Sequence, residues 1–68
     1  MRMMSYYDDK HMLFVNEIYN PRIVIKENEE KPDYINIDFF DFSTRLEVVM
    51  HKDIATVLAH QLDGYIGG

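Results

Sequence analysis

A chain of 68 residues has room for one small domain. Its 47% hydrophobic content excludes a disordered acidic tail, and the absence of cysteine excludes a disulfide scaffold, a thiolate zinc site and a cysteine nucleophile. Twelve acids against seven bases give a net charge of −5, which argues against binding a phosphate backbone as the main activity. No apolar run approaches the roughly 18 residues a membrane-spanning helix needs, so no membrane partner is expected. A cysteine-free chain fits a reducing cytosol, and a cytoplasmic location is the expectation. So short a chain hides only about 60% of its unfolded surface, and without disulfides or metal it needs a tidy core, self-association or a partner.

Residues 1–9 carry three methionines, Tyr6, Tyr7 and the Asp8-Asp9 pair without a clean period, and read as a flexible N-terminal arm. Residues 10–68 read as a single α+β domain. Lys10 to Tyr19 reads as a strand, with Leu13 and Val15 on one side and Met12, Phe14 and Ile18 on the other. Asn20-Pro21 breaks it, because proline fixes φ and disfavours a helical residue before it. Arg22 to Glu27 resumes the alternation, and the spacing suits an antiparallel hairpin between these two strands. Glu27 to Asp33 is the most polar segment, a solvated loop.

Tyr34 to Phe42 has the clearest alternation. Ile35, Ile37 and Phe39 point one way, and Tyr34, Asn36, Asp38, Phe40 and Phe42 the other. After a short turn at Ser43-Thr44, Arg45 to Met50 gives another strand with Leu46, Val48 and Met50 on its core face. Near His51 the period changes from two to 3.6, and Ile54, Leu58, Leu62 and Tyr65 form a helical apolar stripe beside Ala55 and Ala59. Asp53 suits the positive end of that helix, and Gly64 or Gly67 suits a left-handed end. The expected fold is therefore a three- or four-stranded antiparallel sheet with one C-terminal helix packed on one face. The other face then displays Tyr34, Phe40 and Phe42, a row of aromatics of the kind that marks a contact surface or a homodimer interface.

Catalytic patterns are sparse. Gly64, Gly67 and Gly68 sit at the C-terminal end, where no phosphate loop can precede a helix, and no nucleophile elbow or metalloprotease motif is present. His51 and His60 are about two helical turns apart, roughly 13 Å along the axis, too far for one ion. Asp38 and Asp41 have opposite strand parity, so they do not form a carboxylate pair. Neither enzyme, cofactor nor metal is expected. Arg22, Lys26 and Arg45 beside Tyr34 or Phe40 offer a weak single-stranded nucleic-acid platform. The acidic total disfavours it, and a cross-strand pair between Arg45 and an acid is the better reading.

Charge layout is the most specific signal. Between Glu27 and Asp41 lie six acids (Glu27, Glu29, Glu30, Asp33, Asp38, Asp41) and one base, Lys31, so this window alone carries −5. An acidic loop feeding an aromatic strand suits docking on a basic protein surface, with Glu29, Glu30, Asp33, Tyr34, Asp38, Phe40 and Phe42 as the expected contacts. The alternative is a loop kept acidic for solubility.

Leu46-Glu47-Val48-Val49-Met50 leading into Asp53-Ile54-Ala55, Leu58-Ala59 and Leu62 resembles the closing strand and helix of small accessory proteins encoded by bacteriophages and prophages. The resemblance covers about the last third of the chain. It implies stoichiometric action, as an inhibitor or adaptor that covers a basic site on a host protein.

Overall fold

The computed structural model describes residues 1–67; Gly68, the last residue of the expected domain, lies outside the described residues. Five strands and one helix follow in order: β1 (Arg2–Tyr6), β2 (Met12–Glu17), β3 (Arg22–Glu27), β4 (Tyr34–Phe40), β5 (Arg45–His51) and α1 (Lys52–Ile66). The α+β class with antiparallel sheets and a C-terminal helix is as expected. The expected three-stranded sheet is present, and a second, two-stranded sheet precedes it in chain order. The strands form a two-stranded sheet, β1-β2, and a three-stranded sheet in the order β3-β4-β5.

Two compact units divide the chain, one made of Met1–Val24 and Asp38–Leu46, the other of Ile25–Ile37 and everything from Glu47. In the first unit, residues expected to be a flexible arm form β1, which pairs antiparallel with β2. The register sets Arg2 opposite Glu17 and Met4 opposite Val15, with a bulge between Ser5 and Tyr6. Arg2 Nε donates to Glu17 Oε1 at 2.9 Å, an exposed cross-strand ion pair worth about 0.2–1 kcal/mol. Beyond the ribbon, Ile18 and Met1 exchange backbone bonds: Ile18 N donates to Met1 O (2.8 Å) and the Met1 amine to Ile18 O (2.7 Å). Ile18 is fully buried.

The hairpin expected between β2 and β3 is absent, because β2 takes β1 as its partner while β3 joins the other sheet. Asn20 marks the change, at φ 51°, in the left-handed region that asparagine tolerates better than most residues. β4 lies in the middle of its sheet, and its adjacent residues Ile37 and Asp38 are both buried. Successive strand residues point to opposite faces, so β4 is covered on both sides at that point. β5 alternates as expected, with Leu46, Val48 and Met50 less exposed than Arg45, Glu47 and Val49.

β4 ends two residues earlier than its alternation suggests. Asp41 Oδ1 accepts from the backbone N–H groups of Ser43 (2.8 Å) and Thr44 (2.7 Å), and Asp41 N donates to Thr44 O at 3.0 Å. This side-chain turn takes Phe42 out of the strand and holds it 98% exposed at the tip. Tyr34 and Phe40 are half-buried, so the expected open row of three aromatics is one exposed tip and two partly covered rings.

In the second unit His51 caps α1, its Nδ1 accepting from Asp53 N at 3.1 Å, and Asp53 lies in the first turn. Gly67 is the C-cap, with its N–H bonded to Asp63 O, but its φ of −147° is not the left-handed ending expected of it. Gly64 stays within the helix. No residue of α1 is buried, so its apolar stripe is not sealed as the sequence pattern suggests.

Candidate functional site: the acidic loop

The segment between β3 and β4 has a definite shape, and one side chain gives it that shape. Asn28 Oδ1 accepts from the backbone N–H of Glu30 (2.9 Å) and of Lys31 (2.8 Å), an Asx turn. Asn28 Nδ2 donates to Asn36 Oδ1 at 2.9 Å, anchoring the turn to β4. The backbone closes behind it: Asn28 N donates to Tyr34 O (3.2 Å) and Tyr34 N to Lys31 O (3.0 Å). At the far end Lys52 N donates to Asp33 O at 2.8 Å, joining the loop to the start of α1. The Tyr34 ring sits edge-on to His51, with centroids 5.3 Å apart, and Lys31 Nζ lies 5.2 Å from the Tyr34 centroid.

Glu27, Glu29, Glu30 and Asp33 are all exposed on this scaffold. None of the four makes an ion pair among the described residues. With Lys31 as the sole base, residues 27–33 carry four negative charges and one positive, a net −3. A shallow open depression of about 340 Å³ runs beside them, lined by Lys26, Glu27, Glu29, Glu30, Asn36 and Glu47 among others. The arrangement presents fixed anions to solvent and lacks the enclosure that would retain a small substrate.

The other two acids of the −5 window are occupied differently. Asp38 is buried, and Arg45 grips it, Nη2 at 2.7 Å from Oδ2 and Nε at 3.4 Å from Oδ1. This is the cross-strand pair expected for Arg45. Asp41 is held by its turn, with Oδ2 also accepting from Tyr19 N at 3.0 Å. Bonds from the Ser43 backbone foremost, then those from Thr44 and Tyr19, lower its pKa below the ordinary carboxylate value. Asp8 is lowered in the same way, chiefly by the Lys10 backbone N–H and then by the His11 side chain. The electrostatic feature is therefore narrower than the sequence window: it is residues 27–33.

The seven expected contacts fall in both units. Glu29, Glu30, Asp33 and Tyr34 belong to the second, and Asp38, Phe40 and Phe42 to the first. Two residues outside the expected contacts organise the loop, Asn28 and Asn36. An asparagine opening a polar turn is a recognised turn signal, whereas its cross-strand bond to Asn36 depends on the β3–β4 pairing. Among the described residues no three histidine, aspartate or glutamate side chains converge as a metal site, and no helix is long and apolar enough to cross a membrane. Comparison with known proteins adds no relative: neither a family model, nor a curated protein, nor a solved structure matches the chain.

Proposed function

We propose that this chain is a small non-catalytic protein-binding module whose acidic loop docks on a basic surface of another protein. The observation that carries the reading is the exposure of Glu27, Glu29, Glu30 and Asp33, without ion pairs among the described residues, on a turn fixed by Asn28. A loop that already holds its bound shape loses less conformational entropy on docking, and its negative field speeds encounter with a basic partner. Phe42, exposed on the separate Asp41 turn, has the character of an aromatic anchor. On this reading the chain acts stoichiometrically, as an inhibitor or adaptor of the kind found among small phage accessory proteins.

The test is the triple variant Glu29→Lys, Glu30→Lys, Asp33→Lys in pull-downs from the native host. Wild-type chain retains a specific protein at low salt and loses it progressively as salt rises, while the variant retains none and keeps its circular dichroism spectrum. Equal capture by the variant would sink the docking reading.

A further inference from the structure

α1 carries a run of exposed large apolar side chains on one element. None of its fifteen residues is buried, and its stripe is only partly covered: Ala55 is half-buried, Leu58 is 41% exposed, Leu62 49%, Ile54 59% and Tyr65 91%. We infer that a second copy of this chain covers this stripe, the two α1 helices packing antiparallel about a two-fold axis level with residue 60. The inference does not depend on the acidic loop.

The spacing along α1 favours a helix as the covering element. Ala55, Leu58, Leu62 and Tyr65 recur at intervals of three, four and three, the seam along which two helices interlock knobs into holes. Ile54 and Ile66 flank that seam, and it contains no charged residue.

Orientation follows from residue size. Rotation about an axis level with residue 60 sets Leu58 against the partner's Leu62 and Ala55 against the partner's Tyr65. Each large ring then meets a small side chain, which fills the layer at native density. A parallel pair would instead stack Tyr65 on Tyr65 and leave a void between two alanines. The helix ends agree with the antiparallel choice: the last turn of α1 has no basic residue to balance its negative end, and the antiparallel pair sets the partner's positive N-terminal end beside it.

The available area is also of the right size. Taking roughly 150–250 Å² for a fully exposed large side chain, the open parts of Ile54, Leu58, Leu62, Tyr65 and Ile66 come to about 600 Å² per copy. Full coverage of that area in two copies would bury about 1,200 Å², the lower bound of a specific interface.

The experiment uses the full chain. Sedimentation equilibrium should give twice the 8.1 kDa chain mass for the wild type and the single-chain mass for Leu62→Glu. Because the sequence has no cysteine, introduced thiols report register without interference. Ala55→Cys protein mixed with Tyr65→Cys protein should form a disulfide-linked dimer on mild oxidation. Neither alone should do so, since like positions would lie about 15 Å apart along the axis, beyond disulfide reach. The cysteine result stands even where Leu62→Glu fails to fold. A monomeric wild type, a Leu62→Glu dimer, self-linking of Ala55→Cys, or no cross-link in the mixture would each overturn the inference.

Discussion

Asn28 is the residue on which the shape of the acidic loop turns, and replacing it separates shape from charge. Asn28→Ala leaves every acid of residues 27–33 in place but removes three side-chain hydrogen bonds, to Glu30 N, Lys31 N and Asn36. Each is worth about 0.5–1.5 kcal/mol net, and the two loop N–H groups are exposed enough to turn to water, which puts those bonds at the low end. The Asn36 bond is partly buried and belongs nearer the middle of the range. The expected cost is about 2 kcal/mol, and a domain of this size loses roughly 4–8 °C of Tm per kcal/mol, so melting should fall by about 8–16 °C. Asn28→Asp is the informative partner. It keeps the one oxygen that accepts from Glu30 and Lys31 but cannot donate to Asn36, and it should lose about half as much. The assay is thermal unfolding followed by circular dichroism, checked by urea midpoints. An Asn28→Ala loss below about 0.5 kcal/mol, or an Asn28→Asp loss equal to it, would refute the assignment of the loop's shape to this side chain. Binding should follow in the same order, because a loosened loop must be ordered again by its partner.

Two further outcomes test the framework around the loop. Ile18→Ala removes most of a fully buried side chain where only Ile18 and Ile37 are buried hydrophobics among the described residues. It should cost about 2–5 kcal/mol against about 0.5–1.5 for Ile18→Val, read from urea midpoints; equal small losses would show that Ile18 is not a core residue. Acid sensitivity should come in part from Asp41 and Asp8, whose pKa values lie below the ordinary carboxylate value in the folded chain. The unfolded chain then binds more protons, so their contribution is complete above an unfolded pKa of about 3.9 and is lost as pH falls through the lower folded values. Asp41→Asn keeps the oxygen that accepts from the Ser43 and Thr44 N–H groups, gives up the acceptor of Tyr19 N, and should flatten the fall of urea midpoint with acid. An unchanged slope would remove Asp41 from that role.

Much was legible in the residues because period is a local property. Arg22–Glu27 and Arg45 onward appear as strands and the segment from His51 as a helix, since alternation at two and recurrence at 3.6 need no knowledge of neighbours. The charge of −5 and its concentration in one window were equally local. What each charge does was not. Asp38 and Asp41 look in the sequence like Glu29 and Glu30, yet one is buried against Arg45 and the other holds a turn, while the loop acids stay open.

Pairing was decided by the tertiary structure. Met1 to Tyr6 has no alternation to declare it a strand, and it becomes one through partners up to fifteen residues away, Arg2 opposite Glu17. The Asn20-Pro21 break looks like a hairpin turn, but strand exchange at that point depends on the competition of β1 and β4 for neighbours, which no local signal records. The exposure of Phe42 and of the α1 stripe belongs to the same class. The sequence by itself determined which residues are apolar and at what period they recur. Burial depends on contacts remote in sequence, and only the folded chain decided which of those residues it covers.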